Sequence, residues 1–392
     1  MRIAIVAGGI PLGGSTTFIL YLASALRVLG VPVEVFSFTA NNPFSREFSG
    51  AGVTVHVQDD KRLIYEDRLQ SLYQALRVFD PSAVVSVLGA ESYEMLRYLP
   101  LGVRRVGIIL DMAIKPQNFV PHYAHTMDHI VVIARYLVEE VLRAKEHPPP
   151  VTHLQLGIPI TANVAPREPN LNAPLRLLYY GRLENASKGV RLFPDIVAAL
   201  NRRRVPFRWT IHGWGPEGKF LEQALALDVR KGNVILSDHI SYAQLPSVIR
   251  SHDVYMLAST NEGGPLTLLE SMRVGLVPIC GDIPGLVEDV INSENGFRVP
   301  RADPEAYAEA IEALHSDRAL LERMSQAARA TITKEFSAEE MAHRYIRFLE
   351  SLNPTNTVVW PERIRVRPIL GQGRFRYTAA GRGLRRLMKA FS

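Results

Sequence analysis

The sequence predicts two α/β domains in tandem, each a doubly wound parallel sheet, facing one another across a cleft. Three observations predict it. Short apolar runs rich in branched residues alternate with helical patterns through both halves of the chain, the pattern of parallel strands covered on both faces. The alternation is interrupted once, by Pro148-Pro149-Pro150 and a segment at 159–174 rich in Pro, Asn and Ala, which reads as an inter-domain linker. Glycine-rich turns follow strands in both halves, and in such sheets ligands gather beyond the carboxyl ends of the strands. At 392 residues the chain also exceeds one ordinary core.

In the first half, strands are expected at 3–7, 33–38, 53–57, 83–88, 106–110 and 130–133, with helices at 17–28, 67–79, 93–99 and 136–145. In the second, strands are expected at 175–180, 209–212, 234–236, 254–257 and 277–279. The helices between them fall at 190–201, 219–227, 244–251, 266–274 and 285–291. Amphipathic patterns at 304–314 and 319–333 carry no chemical signature. Ser337-Ala338-Glu339-Glu340 reads as the capped start of a helix through Leu352. The expected division is 1–165, 170–336 and a tail at 353–392.

Composition narrows the class. Hydrophobic content of 47% with 21% charge describes a folded globular chain. One cysteine, Cys280, leaves no internal disulfide framework and suits a reducing compartment. The N-terminal apolar run is too short for a signal peptide and reads as a first strand. No apolar stretch approaches the roughly 18 residues of a spanning helix. Residues 360–392 hold nine Arg or Lys and one Glu, a balance of +8 against +6 for the whole chain, so residues 1–359 carry −2. The basic character belongs to the tail, which argues against a nucleic-acid-binding core. The expected location is cytoplasmic.

The chemistry concentrates at 254–270. Val254 to Leu257 has the length of a buried strand, and Gly263-Gly264-Pro265 leads into the apolar-periodic run of Leu266, Leu268, Leu269 and Met272. Pro265 suits the first helical position. Paired glycines let a ligand approach bare backbone, and the N–H groups of a new helix, Leu266 and Thr267 among them, favour an anion such as a phosphate. Glu262 and Glu270 bracket that anion site. Carboxylates repel phosphates but accept from hydroxyls. Glycine backbone for phosphate with carboxylates for hydroxyls is what a nucleotide-sugar requires.

Glu262 and Glu270, with seven residues between them, resemble the paired-glutamate motif of the retaining glycosyltransferases of family 4, which have the GT-B fold of two Rossmann-like domains. The likeness continues through Pro278, Asp282, Gly285, Glu288 and Glu294-Asn295-Gly296 and covers residues 1 to about 352. It implies that Glu262 holds the sugar hydroxyls and orients the anomeric carbon, and that Glu270 binds the ribose. It implies a ligand-facing loop at Gly13 and Gly14, although a flexible turn fits the same residues. It implies that Arg182 and Lys188 hold the donor diphosphate, the other reading being two solvated surface cations. Gly213 would lie near the nucleoside, and Ile240 would wall the base unless it is simply core. Many relatives carry a sugar-facing histidine after the strand at 106–110; here Asp111 occupies the place, and His122 or His125 is the alternative. His122, His125, His129 and Asp128 invite a metal reading, against surface or core-edge histidines. No Asp-x-Asp pair occurs, so no metal and no resident cofactor is expected, the nucleotide-diphosphate sugar being a co-substrate.

The expected function is thus a retaining glycosyltransferase acting on a hydroxyl of a glycan or lipid-linked acceptor, as in polysaccharide biosynthesis. A nucleotide-sugar 2-epimerase and a non-catalytic nucleotide-sugar-binding scaffold are the alternatives. In this fold the last helix crosses back onto the first domain. Beyond the family pattern, Leu384, Leu387, Met388 and Phe391 recur at helical spacing among Arg382, Arg385, Arg386 and Lys389. Such a helix can lie on an anionic membrane; docking on the protein's own first domain and a disordered end are the other readings of residues 360–392.

Overall fold

The computed structural model describes residues 1–39, 42–57, 65–110, 116–160, 165–167, 174–286, 293–352 and 360–365, with backbone alone at 116–119. Thirteen strands are present among them: β1 (Ile3–Ala7), β2 (Val33–Ser37), β3 (Thr54–Val57), β4 (Ala83–Val87), β5 (Arg104–Ile109), β6 (His129–Val132), β7 (Val151–His153), β8 (Leu175–Arg182), β9 (Phe207–Trp214), β10 (Val234–Ser237), β11 (Val254–Leu257), β12 (Val277–Gly281) and β13 (Phe297–Val299). Two separate parallel sheets result, ordered β3-β2-β1-β4-β5-β6-β7 and β10-β9-β8-β11-β12-β13. Each order reverses once beside its first strand, the topology that opens a crevice at the carboxyl ends. β1 and β11 are buried along their whole length, as expected where helices cover both faces of a parallel sheet.

The differences from the sequence reading are local. β7 and β13 were not anticipated; each has three residues, too few to show a period, and β7 directly follows the three prolines. The helix expected at 219–227 is two, Gly218–Ala224 and Ala226–Arg230, broken at Leu225. Pro265 is the N-cap of helix Leu266–Val274, with extended φ/ψ of −75°/108°, rather than its first helical residue. Of the helix expected at 285–291, residues 287–291 lie outside the described residues; Pro284–Leu286 form a 3₁₀ turn.

The chain passes between the lobes at two adjacent places. Ile158 N–H donates to the Phe336 carbonyl and Ala338 N–H to the Ile158 carbonyl, each at 2.8 Å. Helix Ala338–Ser351, capped by Ser337 Oγ accepting from Glu340 N–H at 3.0 Å, lies on helix Gly14–Val28 with Phe18 and Tyr345 in ring contact. Past the first of these crossings, Arg167 is buried in the second lobe against Asp253 at 3.0 Å and Glu322 at 2.8 Å. The tail residues 360–365 pack on helix Tyr65–Phe79: Tyr73 hydroxyl donates to the Pro361 carbonyl at 2.9 Å, and the Trp360 ring meets the Tyr73 ring at 5.6 Å. The basic residues at 366–392 lie outside the described residues. Among those described, no helix is long and apolar enough to cross a membrane.

Candidate active site

A cavity of about 550 Å³ lies between the lobes and draws its walls from both. Strand ends aim two helices at it. Gly13, with φ 147°, is the N-cap of helix Gly14–Val28, and no side chain caps it. Helix Leu266–Val274 of the second lobe starts in the same uncapped way at Pro265. The first-turn residues of both helices line the cavity. Two uncapped helix N-termini concentrate partial positive charge there, which suits an anion.

Lys188 is delivered by a local device. The short helix Asn185–Lys188 is capped by Glu184, which accepts from Ser187 Oγ at 2.7 Å. Gly189 follows in the left-handed region at φ 62°, where a Cβ would stand 2.1 Å from the Ala258 carbonyl oxygen. A glycine there lets the turn press onto the loop after β11, and Thr260 N–H donates to the Ser187 carbonyl at 2.8 Å. Lys188 Nζ consequently lies 2.6 Å from Glu262 Oε1. Ser259 Oγ donates to the same oxygen at 2.6 Å. Glu262 is 7% exposed, so this pairing compensates a carboxylate mostly withdrawn from water. Arg182, at the exposed end of β8, lines the same cavity.

Glu270 is also buried and borders the cavity. Burial pushes its carboxyl above the usual carboxylate range, against the hydrogen bonds from Tyr21 and Tyr180 and the positive charge of Arg273. Tyr21 hydroxyl donates to Oε1 at 2.6 Å, and Tyr180 hydroxyl stands 3.0 Å from Oε2. Burial and the neighbouring Glu270 charge hold the Tyr21 phenol above its ordinary value.

The cavity gathers Glu262, Glu270, Gly13, Gly14, Arg182, Lys188, Ile240, Gly263, Gly264, Pro265, Leu266 and Thr267. Ile240 is half-buried, packs on the core and borders the cavity. Gly213 does not border the cavity, though its neighbours His212 and Trp214 do. A Cβ on Gly213 would stand 2.3 Å from the Gly181 carbonyl oxygen, so packing of β9 on β8 accounts for this glycine. Asp111 lies outside the described residues. His122 and His125 are exposed and do not line the cavity. His129 contacts Thr152 Oγ1 at 2.8 Å and Asp128 pairs with Arg105. These side chains are not gathered, and among the described residues no group of three or more His, Cys, Asp or Glu could hold a metal.

Four partners of the glutamates were missed from the sequence: Ser259, Tyr136, Tyr21 and Tyr180. Tyr136 hydroxyl, from the first lobe, donates to the Glu262 carbonyl at 2.8 Å. Each sits in an apolar stretch where a core aromatic or a turn serine is the ordinary reading. Spacing does not show that two of the tyrosines cross between lobes.

Comparison with known proteins bears on the family and the fold. Residues 165–331 match the family model of glycosyl transferases group 1. The chain is 32% identical over 182 residues to glycogen synthase of Mycobacterium tuberculosis, covering 45% of this chain and 42% of that protein. It is 29% identical over 150 residues to alpha-D-kanosaminyltransferase of Streptomyces kanamyceticus, 38% of this chain and 39% of the relative. These matches span less than half the length of either relative. Among solved structures, Anabaena HepE in complex with UDP and glucose superposes with a TM-score of 0.74 at 15% identity, over 90% of this chain and 100% of that one. Sucrose-phosphate synthase of Thermosynechococcus elongatus gives 0.71 at 15% identity, over 90% and 99%. At such identities the likeness speaks for the fold alone. The chain has the GT-B fold, and its residues 165–331 form a glycosyl transferases group 1 domain.

Proposed function

We propose that the chain is a retaining glycosyltransferase that moves a sugar from a nucleotide-diphosphate donor to a hydroxyl of a glycan or lipid-linked acceptor. The observation that carries this is the convergence of Glu262, Glu270, Lys188, Arg182 and two uncapped helix N-termini on one inter-lobe cavity. The UDP and glucose seen in the HepE complex support a nucleotide-sugar as donor.

The hard step is departure of the diphosphate, because negative charge accumulates on its oxygens. Lys188 and Arg182 meet that charge, with the N–H groups from Gly263 to Thr267. In many enzymes preorganised donors of this kind lower the barrier more than any other single effect. Before donor arrives, Lys188 is engaged by Glu262. A diphosphate draws Lys188 away, and Glu262 is then free to accept from sugar hydroxyls and orient the anomeric carbon. Glu270 accepts from the pentose. The acceptor attacks from the face the diphosphate leaves, and the departing phosphate oxygen takes its proton. No resident metal or cofactor is assigned. The basic residues of 360–392 are assigned to an anionic membrane surface, with a cytoplasmic location. Vesicle co-sedimentation of chains with and without 360–392 tests that assignment, and equal binding by both rejects it.

The deciding experiment measures transfer by Glu262→Ala and Lys188→Ala, with circular dichroism to confirm folding. Both are expected to lose at least about a hundredfold in turnover. Unchanged turnover in both rejects the assignment.

A further inference from the structure

Glu270 is the side chain on which the two lobes meet. Its Oε1 accepts from Tyr21 at 2.6 Å, and Tyr21 projects from helix Gly14–Val28 of the first lobe. Its Oε2 lies 3.0 Å from the hydroxyl of Tyr180, which belongs to β8 of Glu270's own lobe. The carboxylate assigned above to the donor pentose therefore already has a hydroxyl on each oxygen, and one comes from across the cleft. Glu270 keeps only a narrow edge on the cavity, at 9% exposed, and Tyr21 is 4% exposed.

The two tyrosines differ in how they can leave. Tyr180 hydroxyl also lies 2.9 Å from the Thr267 carbonyl, within the same lobe, and its ring packs on Tyr255 in the sheet. Displacing it would disturb the second lobe itself. Tyr21 is held at the cleft by Glu270 and by Tyr242 hydroxyl at 3.4 Å, both from the opposite lobe. A small separation of the lobes withdraws Tyr21 and leaves β8 untouched. Chemically the exchange is even, since a phenol hydroxyl and a pentose hydroxyl each donate one hydrogen bond to a carboxylate oxygen.

We propose that Tyr21 gates donor binding: in the unliganded protein its hydroxyl stands in for a pentose hydroxyl on Glu270, so that donor capture and the Tyr21–Glu270 hydrogen bond exclude one another. Donor affinity is then set in part from the acceptor-side lobe. This rests on Glu270 being the pentose acceptor, and the test separates the two.

The test is calorimetric titration of the full chain with UDP, GDP and ADP, then with the 2′,3′-dideoxy form of whichever binds. Because the exchange is even, wild type is expected to bind the ribose and dideoxy forms with similar affinity. Tyr21→Phe is expected to tighten the ribose form about three- to tenfold, the scale of one hydrogen bond. It is expected to leave the dideoxy form unchanged, because that ligand has no hydroxyl to compete. Unchanged or weaker binding of the ribose form by Tyr21→Phe overturns the gate, as does an equal gain for both ligands. Equal affinity of Tyr21→Phe for the ribose and dideoxy forms, or no binding of any of the three diphosphates, overturns the pentose assignment itself, and the gate with it.

Discussion

The two glycine turns that face the cavity, Gly13-Gly14 in the first lobe and Gly263-Gly264 in the second, differ in why they are glycine. Both precede uncapped helices and both border the cavity. A Cβ added at Gly13 or Gly14 would meet nothing within 4 Å. At Gly264, with φ 142°, it would stand 2.6 Å from Leu156 Cδ1 and 3.9 Å from Ile133 Cδ1, both of the first lobe. The same turn is braced elsewhere. Tyr136 holds the Glu262 carbonyl from the first lobe, and Gly285 is so close that a Cβ there would lie 1.9 Å from the Glu262 carbonyl oxygen. One turn is clasped by protein on several sides; the other opens onto the cavity. Packing accounts for the glycine at 264; at Gly13 the positive φ does, and Gly14 borders the cavity with no neighbour that a Cβ would meet.

The sharpest break of this comparison is Gly264→Ala. It sets an L residue in a backbone region that costs about 1–3 kcal/mol and adds a clash across the cleft. It is expected to abolish transfer and lower the melting temperature together; a variant that keeps both would show that the clasp is dispensable. Gly14→Ala is the counterpart. Gly14 opens the helix at negative φ, so alanine is expected to leave stability unchanged or raise it by about 0.5 kcal/mol. Its methyl would stand in the cavity, and if the donor binds there as proposed, donor KM is expected to rise about tenfold. A stable variant with unaltered KM would mean that this loop does not face the donor.

The smallest expected effect concerns Glu270. Its carboxyl is raised by burial, so between the unfolded carboxyl's range and the folded value the native state holds more protons than the unfolded one. Stability therefore declines as pH rises through that window. Glu270→Gln removes the buried charge and is expected to raise the melting temperature by about 2 °C at pH 7.5. The gain should shrink toward zero near pH 4, while donor binding is lost at both. Thermal melts at the two pH values check this. A gain that grew on acidification would contradict the sign.

Much of the fold was legible because its signals are periodic. The runs at 3–7 and 254–257 and the helix at 266–274 are copied in the structure without a shift of boundary. β7 and β13 were not legible, since three residues show no period and pairing with a neighbour decides them. The local chemistry of Glu262, Gly263, Gly264 and Glu270 also stands in the sequence, because an uncapped helix start after two glycines is a short-range property. So does the Lys188-Gly189 pair, although the reason for that glycine, the Ala258 carbonyl, is a contact made 69 residues away.

What the chain order by itself determined is the alternation of strand and helix, the break between two sheets and the residue types at each turn. Each is set within a dozen residues by side-chain period and backbone freedom. What only the tertiary structure decided is which side chains share a space. Tyr21 reaches Glu270 across 249 positions and Tyr136 reaches Glu262 across 126. Gly213 packs against β8 instead of bordering the cavity, and His122 and His125 do not line it. These depend on how one lobe is set against the other, and that placement is fixed by packing between surfaces that no local pattern in the sequence brings together.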